Sequence, residues 1–301
     1  MYYIIILLTF LSFACNSKPY SGQNSFSSRQ VKEYNSPVIF NIDSLDFVSK
    51  IDELNKKLDK SFVIFENQFF IIASNLSAEE TDNIVGNTIV RAIDCFYNDY
   101  FEKSPNEITT IFLFKDDATY RNWAKKLFDD DDLSRFGYYK PSQRVMLMNI
   151  STGTGTLVHE MTHALVRFDF PDIPSWFNEG LGSLYERCSL NNKNIIGYVN
   201  WRLPRLQESF TKNEYIPLED LVKMDENTFY NANSDLHYAE ARYFCMYLQE
   251  KGMLKSFYKL YRDGFNNDMT GKTFIEKLFA KDLNSVDKEF VIWAKSLQYK
   301  E

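Results

Sequence analysis

Apolar positions recur along this chain at two spacings, and the switching between them outlines a series of elements. Residues 42–60 place Ile42, Leu45, Phe47, Val48, Ile51, Leu54 and Leu58 at helical intervals. Residues 62–74 carry β-branched and aromatic runs on both sides of Glu66-Asn67-Gln68, the pattern of two strands joined at a turn. Ser77-Ala78-Glu79-Glu80 has the serine-to-glutamate spacing of a capping box and opens a helix that reaches about residue 101. A β-branched and aromatic strand follows at 108–114, then a helix at 118–127 and an acidic run at 129–132 that reads as a solvated loop. Two strands at 137–139 and 144–150 are joined at Pro141-Ser142. The loop 153–156 ends on Thr156, a hydroxyl N-cap for an apolar helix that Pro171 and Pro174 close. The next helix takes Ser175 as its N-cap and presents Trp176, Phe177, Leu181, Leu184 and Tyr185 as an apolar face. Residues 189–235 are a less regular middle, helical over 198–210 except where Pro204 interrupts, with a further helical turn from Pro217. Residues 236–248 have the spacing of a buried helix, and the tail from Leu254 reads as two or three more.

Composition adds bounds. A chain of 301 residues with 45% hydrophobic and 16% aromatic residues can fill a substantial core. The 34 basic and 41 acidic residues are interspersed, without a basic block, which argues against nucleic acid as a partner. The first fifteen residues form an apolar run too short for a comfortable membrane span and read as a signal-peptide core. That run ends at Ala14-Cys15 and resembles a bacterial lipoprotein signal, cleaved before a cysteine that is then lipidated. The resemblance implies an exported protein, lipid-anchored at Cys15 to the bacterial cell envelope. Its n-region departs from the pattern in having no Lys or Arg. Residues 16–37 are rich in Ser, Asn, Gln and Gly, a composition that cannot bury a core and reads as a flexible tether. The remaining cysteines, Cys95, Cys188 and Cys245, sit in mostly apolar settings and read as buried free thiols.

The chemistry concentrates in His159-Glu160-Met161-Thr162-His163, which holds two of the chain's three histidines. On a helix, positions i and i+4 share a face, so both imidazoles can reach one metal ion, and the intervening glutamate can reach a water on it. A catalytic zinc site takes three protein ligands and keeps one position open. Glu179, in the first turn of the following helix, is the candidate third ligand; Glu186 is the rival, or a partner for an imidazole N–H.

H-E-M-T-H followed by W-F-N-E-G-L-G resembles the gluzincin metallopeptidases, most closely their peptidase MA-like group. The resemblance covers residues 137–250 with specific motifs and the flanks by general pattern. It implies an α+β fold: a thermolysin/aminopeptidase-like catalytic domain with a small mixed sheet and a mostly helical C-terminal part. The implied organisation is a signal peptide at 1–15, a tether at 16–37, an N-terminal α/β part at 38–135, a zinc-binding core at 136–250 and a helical cap at 251–301. His159, His163 and Glu179 would bind one Zn2+ per chain, and Glu160 would activate the zinc-bound water to hydrolyse a peptide or protein substrate. The helix at 236–248 resembles a late catalytic-domain helix of the aminopeptidase-type members, which places the oxyanion-donating tyrosine at Tyr238. His237 adjoins it and is structural or part of the site. In gluzincins substrate pairs with the strand before the zinc helix, which points to 144–150 as a binding edge. Gly182 stands where the family usually has alanine, a change expected to cost helix stability without touching the chemistry. The competing expectation is a surface scaffold that keeps zinc and has lost turnover.

Overall fold

The computed structural model describes residues 42–191 and 193–300, so the expected signal peptide, the expected lipidation site Cys15 and the expected tether at 16–37 lie outside the described residues. The chain runs α1 (Ser44–Lys57), β1 (Val63–Asn67), β2 (Phe70–Ser74), α2 (Ala78–Ile84), a π-helical stretch Val85–Val90, α3 (Arg91–Asp99), β3 (Thr109–Phe114) and α4 (Asp117–Phe128). It continues through β4 (Gly137–Lys140), β5 (Val145–Asn149), α5 (Gly155–Asp169), α6 (Ser175–Leu184), β6 (Cys188–Asn191) and β7 (Asn194–Gly197). The rest is helical: α7 (Leu203–Lys212), α8 (Leu218–Leu221), α9 (Glu226–Tyr230), α10 (Ser234–Glu250), α11 (Leu254–Gly264), α12 (Lys272–Phe279) and α13 (Leu283–Ser296). The result is a mixed helix and sheet structure with a small mixed sheet. Among the described residues no helix is long and apolar enough to cross a membrane.

The main sheet has the order β1-β2-β3-β5-β4, with β2, β3 and β5 parallel and the two outer strands antiparallel to their neighbours. Side chains alternate across a strand, so β2, β3 and β5 each feed two cores. Ile71, Ala73, Phe112, Phe114, Val145 and Leu147 pack under Phe47 and Leu54 of α1 and Tyr120 and Trp123 of α4. Ile72, Ile111, Leu113, Met146 and Met148 face the larger core that holds α3, α5, α6 and the C-terminal helices. Strands buried on both faces read as continuous apolar runs, which is why 108–114 and 144–150 stand out in the sequence.

Several expectations are corrected. The 144–150 strand is not an edge: β5 lies between β3 and β4, and the sheet edge beside it is β4. Its five residues, all buried, have no open side for a peptide. The 129–132 run is not wholly solvated, because the β4 hairpin brings Lys140 and Tyr138 onto Asp130. Pro204 does not interrupt a helix; it stands in the first turn of α7, where its missing N–H has no intrahelical partner to lose. The middle segment also contains an unexpected hairpin, β6–β7. The capping box at Ser77 and Glu80 is present as expected, but the helix it opens passes through the π-helical stretch before α3. Cys95, Cys188 and Cys245 are free thiols, the first and last buried.

Candidate metal centre

The two site helices meet through glycine. α5 begins at Gly155, not at a Thr156 cap, and Thr154 in the N-cap position makes no side-chain capping bond. A Cβ on Gly155 would lie 2.1 Å from the Glu186 carbonyl oxygen, so the start of α5 abuts the end of α6 as only glycine permits. α6 likewise begins at Ser175 itself with Pro174 before it, which moves Glu179 beyond the first turn. Gly180 lets α10 close on the back of α6: a Cβ there would stand 2.7 Å from the Ala241 carbonyl oxygen. On the other side, a Cβ on Gly182 would stand 3.1 Å from His163 Cε1 and 3.2 Å from two carbons of His159. Gly182 therefore does touch the chemistry, by letting α6 press against both imidazoles.

The consequence is convergence. His159, His163 and Glu179 bring one donor atom each to within 4.8 Å of one another. His159 Nε2 lies 2.9 Å from His163 Nε2, and Glu179 Oε2 lies 3.3 Å from the first and 3.4 Å from the second. Donors at about 2.0–2.2 Å from a tetrahedral zinc stand roughly 3.3 Å apart, so this triangle has the size of one face of a zinc tetrahedron. Glu179 Oε2 is buried with no hydrogen-bond partner. A buried carboxylate oxygen without a donor is costly, and a cation between it and the two ring nitrogens removes that cost. The donor set of two imidazoles and a carboxylate suits zinc.

A second layer of side chains orients the three. Asn178 Oδ1 is 2.9 Å from His163 Nδ1 and can accept its proton, which leaves the Nε2 lone pair free. Glu186 Oε1 stands 3.5 Å from His159 Nδ1, on the side of the ring away from the triangle. Arg202 holds that carboxylate in a fork, Nε to Oε2 at 3.0 Å and an η nitrogen to Oε1 at 2.7 Å, and Asn200 adds a third donor. Despite burial, the His159 and Arg202 partners hold the Glu186 carboxyl down at about 2. Burial opposes a charge on His159, but the Glu179 and Glu186 carboxylates overcome it and lift the imidazole to about 10 without metal. Glu179 is held well below the usual carboxylate range, against its burial, by His163 and His159.

Glu160 is half-buried beside the triangle, and burial raises its carboxyl above the usual range, against the pull of both imidazoles. Tyr238 lies beside Glu179, its phenol pushed up by burial and then by that carboxylate. His237 is turned elsewhere: its Nδ1 is 2.8 Å from the Phe229 carbonyl oxygen. Sequence reasoning missed three residues. Asn178 stands next to Glu179 in the matched motif and was available as a signal. Arg202 and Tyr230 carried none, because nothing local marks them. The Tyr230 hydroxyl donates to Glu179 Oε1 at 2.6 Å.

No family model matches the chain. No curated protein matches it either. Among solved structures, native yeast LTA4 hydrolase is similar at a TM-score of 0.43 and 12% identity, over 80% of this chain and 40% of that one. This chain thus spans well under half the length of that protein.

Behind the site, Arg242 is fully buried and caps the end of α6, with Nε donating to the Ser183 carbonyl oxygen at 2.9 Å and an η nitrogen to that of Tyr198. Trp176 anchors the opposite end of α6 in a cluster with Phe177, Phe244, Phe257 and Tyr261. The helix bearing Glu179 is thereby fixed at both ends against α10 and α11, which limits how far its carboxylate can drift from the imidazoles.

Proposed function

We propose that the chain is a zinc-dependent metallopeptidase of the gluzincin type, with His159, His163 and Glu179 as ligands. The observation that carries this is the tetrahedron-sized triangle around a buried carboxylate oxygen with no partner. When bound, zinc would supply Lewis-acid polarisation of the scissile carbonyl and acidify a water. Glu160 takes the proton from the attacking water and returns it to the leaving amine; a raised pKa suits both tasks. Tyr238 donates a hydrogen bond to the developing oxyanion. The peptide lies along β4, the outer strand next to β5, by strand addition. The wider reading keeps the thermolysin/aminopeptidase-like organisation, with residues 136–250 as the catalytic core, 38–135 as its N-terminal part and 251–301 as its cap. The enzyme is exported and held at the envelope membrane by lipid on Cys15.

The test pairs metal analysis with cleavage of a peptide library. Wild type should bind about one zinc and turn over. Glu160→Gln keeps the shape but cannot take a proton, so it should hold zinc while hydrolysis falls by ~10²–10⁴. Zinc without turnover on any peptide would point instead to a scaffold, and turnover that survives Glu160→Gln would refute the assigned base.

A further inference from the structure

Two phenols approach Glu179, and they are differently placed. Tyr238 sits near the start of α10, half-buried, with its phenol beside the Glu179 carboxylate. Tyr230 ends the short helix α9, with 41% of its surface exposed, and its hydroxyl takes Oε1. The two carboxylate oxygens are thus divided: Oε1 belongs to Tyr230, and Oε2 faces the two Nε2 atoms. The Ser175 hydroxyl reaches the same phenol from the first turn of α6. A donor behind the phenol oxygen keeps its own proton aimed at Glu179.

The backbone that presents Tyr230 is held in the same way. Its neighbour Phe229 is fully buried, with ring centroids 5.7 Å from His237 and 5.4 Å from Tyr238. The Phe229 carbonyl accepts from His237 Nδ1. The third histidine of the chain therefore pins the end of α9, one residue from the phenol on the candidate ligand.

We propose that Tyr230 is a positioning residue of the metal centre, holding Glu179 to one-oxygen ligation so that a coordination position stays open. The inference rests on the metal-site reading above. A carboxylate with both oxygens free can turn both to a cation, and zinc readily expands from four to five partners. With Oε1 engaged at 2.6 Å, Glu179 offers Oε2 alone. The role differs from the one assigned to Tyr238 above, which is to meet the reacting carbonyl. The two tyrosines should therefore separate experimentally, one in metal binding and one in turnover.

The experiment uses the full chain, stripped of metal and reloaded with Zn2+ or Co2+, as wild type, Tyr230→Phe and Tyr238→Phe. Phenylalanine keeps the ring contacts, so Tyr230→Phe should still fold, with its metal-free form unfolding at a somewhat lower temperature because Glu179 Oε1 loses its donor. Its zinc dissociation constant, measured against a competing chelator, should rise by about 10–100-fold, the usual cost of losing a residue that orients a ligand. Its Co2+ form should show weaker visible absorption bands, as a four-coordinate site becomes five-coordinate. Tyr238→Phe should match wild type in both readouts. Tyr230→Phe with the wild-type zinc constant and Co2+ spectrum would overturn the inference alone. A wild-type chain that takes up neither ion would overturn it together with the metal-site reading. Should Tyr230→Phe lose its fold, Ser175→Ala provides the second arm: weaker zinc binding supports the chain of hydroxyls, and an unchanged constant and spectrum refute it.

Discussion

Glu240→Gln isolates one buried carboxyl on α10, two residues from Tyr238. Glu240 is fully buried, Oε1 accepts from the Ile216 N–H at 3.0 Å, and Oε2 has no partner. Burial pushes its carboxyl up to about 9, with Asp287 of α13 adding to the rise and the Ile216 N–H and Arg205 of α7 opposing it. Arg205 is committed to Glu214 and Asp235, so it does little for Glu240. The folded protein then keeps this proton up to about pH 9, while the unfolded chain loses it above 4.5. Between those values the folded state binds more protons, so stability is full below the lower value and is lost as pH rises towards the upper one. The slope is about 1.4 kcal/mol per pH unit, or about 3 kcal/mol between pH 5 and 7. That is a sizeable part of the 5–15 kcal/mol typical of a folded domain. Glutamine has nearly the same shape and no charge in either state, so it removes this slope. The assay is urea unfolding of wild type and Glu240→Gln across pH 5–8. The variant should gain on wild type by about 1.4 kcal/mol for each unit of rising pH. A difference that stays flat over that range would show that Glu240 is charged in the fold, and the burial argument would be wrong.

Other outcomes follow from the site. His159→Ala, His163→Ala and Glu179→Ala should each abolish zinc uptake, whereas Glu186→Ala should keep it at about 10–100-fold weaker affinity; the reverse pattern at Glu179 and Glu186, read by metal analysis, would exchange ligand and orienting residue. Tyr238→Phe should lower kcat by about 10²-fold or more with little change in KM, because the hydrogen bond forms mainly in the transition state; steady-state kinetics with unchanged kcat would send the search for the donor elsewhere. Cys15→Ser should release or misprocess the protein, and intact-mass analysis of the mature wild type should find lipid on Cys15; a mature chain that starts elsewhere without lipid would remove the anchor.

The sequence by itself determined whatever is written in local spacing. The helical intervals of α1, α5, α6 and α10, the capping box at Ser77 and the doubly buried strands β3 and β5 all appear as periodicity, because burial on one or two faces imposes it on consecutive residues. The same holds for His159, Glu160 and His163, which one helical turn brings together, and for Glu179, whose motif is local to its own helix. Strand order is another matter. Nothing in residues 144–150 tells an interior strand from an edge, since that depends on where a hairpin folds back; the structure places β4 outside. Long-range partners were equally silent. Arg202 lies 16 residues from Glu186 in the chain and Tyr230 lies 51 from Glu179, yet hydrogen bonds join each pair. Gly182 read as a helix-weakening residue until the imidazoles were seen against it. Only the packing of α6 between α5 and α10 decides which side chains meet, because contacts between distant segments leave no period in either one.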